Sequence, residues 1–157
     1  MIVFKLRLTK NSIPWFEERK VDVRAMESAL TLLFAELEPS VITKDKILTI
    51  QIRYGADESY YMFLTDKLSI CDEPDSSAKS RRQKKAAFFN HFLHEFRHWM
   101  QSRIYKINGN KLDYSADDVH RNTNAYFRNE YEVDARQFAR YHVKKFTRYY
   151  NLFKKAY

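Results

Sequence analysis

The sequence predicts an α+β fold: a small mixed or antiparallel sheet packed on one helix, with a long C-terminal helix beside it. Three observations carry this. Short stretches in the first half alternate apolar and polar residues with period two. The run from about Ala86 to Tyr105 places Phe89, Phe92, Leu93, Phe96 and Met100 at helical spacing. A last helical run extends from about Asn124 to beyond Tyr150, with aromatics again at helical intervals. Strands followed directly by such a helix suggest a sheet lying against it.

Taken in order, Ile2–Leu8 reads as a first strand. The run from about Glu17 to Glu38 reads as a helix, with Val23, Met26, Leu30, Leu33 and Leu37 as its core stripe and Pro39 as its stop. Ile47–Tyr54 is the next strand, closed by Gly55. Tyr60–Leu64 and Leu68–Cys71 read as two more, joined by the turn Thr65-Asp66-Lys67. Asp72–Lys85 reads as a loop that ends in the basic run Lys79, Arg81, Arg82, Lys84 and Lys85.

Length and composition bound the function. At 157 residues the chain is expected to form one domain, spanning 1–157. With 45% hydrophobic and 16% aromatic residues it is globular rather than disordered. The lone Cys71 excludes an internal disulfide framework and a paired-cysteine metal site; it reads as a small buried strand residue. No signal-peptide core or membrane-length apolar run is visible, so the expected location is cytoplasmic. A formal charge of +8 suggests an acidic or nucleic-acid partner, with the Lys79–Lys85 run as its candidate surface.

The chemistry centres on His94-Glu95-Phe96-Arg97-His98. Residues four apart share a helix face, so His94 and His98 can offer ring nitrogens to one ion while Glu95 reaches a water beside it. Two imidazoles suit Zn²⁺, which lowers the pKa of a bound water to about 7, and a carboxylate then serves as general base. The same histidines would otherwise lie on a merely solvated face opposite the buried stripe.

A third ligand is sought on the last helix. Phe127, Tyr131, Phe138 and Tyr141 form its aromatic stripe, and Glu130 and Asp134 fall inside it while Glu132 points away. Buried carboxylates need a cation or a partner. Glu130 is therefore the expected ligand and Asp134 the acceptor for a ligand imidazole N–H, with Glu132, Asp134 or His120 as alternative ligands. The competing expectation is a pair of acids bridged to Arg97, Arg128 or Arg136. His120 and Tyr126 are candidates for stabilising an oxyanion, and His91, one turn ahead of His94, is a decoy.

The His94–His98 motif, followed by Asn129-Glu130-Tyr131-Glu132-Val133-Asp134, resembles the glutamate-type zincin metallopeptidases, and the run to Ala139 is similar to small intracellular ImmA/IrrE-like peptidases. The resemblance covers about sixty residues. It implies one Zn²⁺ on His94, His98 and Glu130, Glu95 as general base, and Asp134 supporting a ligand histidine. Val133 and the extra residue before Phe138 depart from that pattern. Gln101 and Ile104 stand where metzincins carry a glycine and a third histidine. The implied activity is hydrolysis of a peptide or protein substrate. The alternatives are a nucleic-acid-associated protein or a degenerate, zinc-stabilised interaction module.

Overall fold

In the first strand, β1 (Val3–Leu8), Phe4 and Leu6 point into the core between exposed Lys5 and Arg7, the alternation that half-buried strands require. The computed structural model describes residues 1–55, 59–71, 80–107 and 129–157. A 3-10 turn (Lys10–Ser12) leads into α1 (Ile13–Glu18), and α2 spans Val23–Leu37. The strands β2 (Ile47–Gly55), β3 (Tyr60–Met62) and β4 (Lys67–Cys71) follow, then α3 (Arg81–Arg103) and α4 (Glu130–Ala156).

The four strands form one mixed sheet in the order β1-β2-β4-β3. β1 pairs parallel with β2, and β2 with β4, while β3 runs antiparallel to β4. The architecture is therefore the expected α+β class. The outer edge of β1 is sealed by α2: the Phe4 N–H donates to Thr31 Oγ1 at 3.0 Å and the Leu6 N–H to Glu27 Oε2 at 2.8 Å. The other edge strand is β3.

The single helix expected over Glu17–Glu38 is two. Lys20 adopts a positive φ of 54° after α1, and Asp22 caps α2 by accepting from the Ala25 N–H. A left-handed residue cannot continue an α-helix, and an extended Asp is a strong N-cap. The helix α3 also starts earlier than expected. Ser80 and Gln83 form a capping box, so Arg82, Lys84 and Lys85 lie on α3 rather than in a loop. Cys71 is buried on β4.

α2 packs on β1, α3 on β4 and β3, and α4 packs on both α2 and α3. The result is a sheet, a middle layer of two helices, and a capping helix. Phe4 meets Phe34, Phe96 and Trp99, while Phe146 of α4 meets Phe89 and Phe92 of α3. Fully burying each such ring contributes about 1.5–3 kcal/mol, so α4 is held firmly against the histidine-bearing helix. No helix among the described residues is long and apolar enough to cross a membrane.

Candidate metal centre

Two structural decisions set which carboxylate meets the histidines. Asn129 is the N-cap of α4, its side chain accepting from the Tyr131 and Glu132 N–H groups, which starts the helix at Glu130. The buried face is then Glu132, Ala135, Phe138, Ala139, Phe146 and Tyr150. These positions recur at helical spacing, and Glu130, about 200° away from Glu132 at 100° per residue, is exposed to solvent. Of the expected stripe Phe138 is buried on this face, whereas Tyr141, assigned to it too, is 76% exposed. Phe127, His120, Tyr126 and Arg128 lie outside the described residues.

Glu132, not Glu130, therefore faces the histidine pair. Its Oε2 is 3.0 Å from His94 Nε2 and its Oε1 is 2.8 Å from His98 Nε2. One ligand atom from each of His94, His98 and Glu132 lies within 4.8 Å of the others, close enough to hold a metal ion. Tetrahedral donors about 2 Å from one ion stand about 3.3 Å apart, so small side-chain adjustments bring the three into ligand geometry. The two rings meet edge to face at 5.0 Å, and Glu95 Oε1 lies 4.0 Å from His94 Nε2.

The fit of a cation rests on His98. Its Nε2 is buried and, although near Glu132, has no properly directed hydrogen bond. A buried polar atom left that way costs about 1–3 kcal/mol unless something else meets it. A cation between the imidazoles and the carboxylate does so, and two nitrogens with one carboxylate oxygen suit Zn²⁺ and other transition metals.

The expected support from Asp134 is indirect. His98 Nδ1 bonds Gln101 Oε1 at 2.8 Å, and Gln101 Nε2 donates to Asp134 Oδ2 at 2.8 Å and to the Tyr131 carbonyl at 3.1 Å. An amide Oε1 only accepts, so it fixes the proton on Nδ1 and leaves Nε2 with a lone pair for a ligand. Asp134 also takes Arg97 in a two-pronged pair, Nε to Oδ2 at 2.7 Å and Nη2 to Oδ1 at 3.3 Å. The expected bridge between an acid and Arg97 thus forms as well, on Asp134. Its carboxylate is too occupied to serve an imidazole directly; Gln101 relays it. His91 bonds Ser59 Oγ at 2.9 Å and lies 3.8 Å from Cys71 Sγ of β4.

The electrostatics suit a cation. Burial pushes the Glu132 carboxyl up, but the His94 and His98 rings set against its two oxygens outweigh it and hold it well below the usual range. Burial pushes Glu95 up, and the nearby imidazoles offset this only in part. Burial would depress His98, yet Glu132 and Glu95 raise it to about 9. This is the sign a negatively charged pocket imposes on a base, and proton and metal compete for the same lone pair.

The site thus defines a two-histidine, one-carboxylate centre on two packed antiparallel helices, with a further carboxyl beside it. No family model, curated protein or solved structure matches the chain.

Proposed function

We propose that the protein is a zinc-dependent metallopeptidase, with His94, His98 and Glu132 as ligands. The observation that carries the reading is the convergence of Glu132 on both imidazoles with Glu95 buried alongside. Zn²⁺ bound there would supply Lewis acidity and an acidic water. Glu95 is suited to take a proton from the attacking water and return it to the departing amine. Desolvation raises its proton affinity above that of a free carboxylate, the direction a general base requires. Gln101 holds His98 in the ligating tautomer, and the Arg97–Asp134 pair anchors Gln101 between the helices.

The sheet supports peptide capture. α2 closes the β1 edge, whereas β3 is the opposite edge strand. Ser59, just before β3, bonds His91, one turn from His94, so this edge lies beside the site. An extended peptide adding to β3 would pass the metal centre.

The test is Glu95→Gln. Metal content is expected to stay at the wild-type level while hydrolysis of an unfolded, fluorescently labelled protein falls on the order of 10²–10⁴-fold. Unchanged turnover with metal retained overturns the reading.

A further inference from the structure

Basic residues at the start of α3 and near the end of α4 stand far apart in the sequence but meet at the far end of the helix pair. α3 and α4 run antiparallel: Arg97 and Gln101 reach Asp134, whereas Phe89 meets Phe146 and Tyr150 edge to face. The start of α3 therefore lies beside the end of α4. Between them runs a groove of about 870 Å³, with Arg82 and Lys85 on one wall and Lys144, Arg148 and Lys155 on the other. Leu152, 60% exposed, also lines it. Among the described residues no carboxylate lines the groove. Among the described residues none of Arg82, Lys144, Arg148 or Lys155 has a carboxylate within ion-pair distance. Lys85 sits over the Tyr150 ring at 5.6 Å, which fixes its stem at the wall.

We propose that this groove binds the phosphate backbone of nucleic acid. Lys144, Arg148 and Lys155 fall at i, i+4 and i+11 on α4, a row of charges about 16 Å long at 1.5 Å per residue. Arg82 and Lys85 face it across the groove. Two opposed rows of cations fit a linear polyanion with a charge at every unit. An anionic bilayer is flat and meets a face that protrudes, whereas these cations stand on the two walls of a groove. An acidic peptide carries its charge at irregular intervals. From Glu132 to Lys144 the axis runs about 18 Å, so the groove is separate from the metal centre and stands without the peptidase reading.

The test is fluorescence anisotropy of labelled mixed-sequence oligonucleotides, single- and double-stranded, titrated with the full chain across a range of salt. The variant combines Arg82→Gln, Arg148→Gln and Lys155→Gln. A control carrying Arg7→Gln, Lys44→Gln and Lys46→Gln removes equal charge elsewhere. The groove variant is expected to bind on the order of 10–100-fold more weakly at low salt. Its slope of log K against log salt should shrink by about 2–3, since each phosphate contact contributes about 0.7–0.9. The control should stay within about threefold, and matching thermal melts of both variants establish that each is folded. Equal losses in both variants overturn the proposal, since net charge alone then accounts for binding. So does failure of the oligonucleotides to bind while polyglutamate, or phosphatidylcholine vesicles with one-third phosphatidylserine, bind in a groove-dependent way. Metal content read in parallel keeps this outcome distinct from that of the catalytic proposal.

Discussion

Replacing Glu132 by alanine should separate the two carboxylates that compete for the role of third ligand. Glu132 contacts both imidazole nitrogens, at 3.0 and 2.8 Å, while Glu130 is exposed on the other side of α4. Structural zinc sites with four ligands bind with about 10–16 kcal/mol, or about 2.5–4 kcal/mol for each ligand. Losing one ligand therefore weakens binding about 10²–10³-fold, at 1.4 kcal/mol for each factor of ten. Competition between apoprotein and a chromophoric chelator measures this directly. Glu132→Ala is expected to lose that factor and Glu130→Ala to stay within about threefold. The reverse ranking would refute the assignment, and with it the helix phase that Asn129 sets.

Three further outcomes follow from the surrounding structure. Gln101→Ala frees His98 Nδ1 from its acceptor and should weaken metal binding about 10–100-fold, read by the same competition; an unchanged affinity would show that the relay to Asp134 does nothing. Phe146→Ala empties a fully buried position against Phe89 and Phe92, costing about 3–5 kcal/mol and lowering Tm by about 6–20 °C in a calorimetric scan. Tyr61 donates to Asp66 Oδ1 at 2.7 Å, and burial pushes its phenol up to about 12. The unfolded chain, with a phenol near 10, ionises first, so the stability this group contributes is complete below about pH 10 and falls away towards pH 12. Tyr61→Phe should flatten the alkaline denaturation curve in that window, and identical curves would contradict the assignment.

The part of the site on α3 is legible because one helical period dictates it. His94 and His98 share a face whatever surrounds them, although the phenylalanine stripe is shared between neighbours, Phe89 and Phe92 meeting Phe146 of α4 and Phe96 meeting Phe4 of the sheet. The ligand on α4 is harder to read. Glu130 and Glu132 differ by two positions, and choosing between them needs the rotation of the helix about its axis. That rotation is announced by Ala135 and Ala139, both fully buried, where small side chains let α4 approach closely. An aromatic-weighted stripe passes over them and follows Tyr141 into solvent. Asn129 as N-cap, directly before two acids, is the local signal that marks the helix start. Gln101 has no comparable signal, because its role exists only once α4 brings Asp134 and the Tyr131 carbonyl to it. The split between α1 and α2 likewise hangs on one left-handed lysine, a conformation that no composition rule assigns to Lys20.

X-ray absorption at the zinc edge of the purified, zinc-loaded protein tests the central claim most directly. The account predicts a first shell of nitrogen and oxygen only, at about 2.0–2.2 Å, with the multiple-scattering signature of two imidazoles and one ion per chain. A sulfur scatterer at about 2.3 Å, which only Cys71 or a methionine could supply, would contradict it. So would a shell with a single imidazole or none.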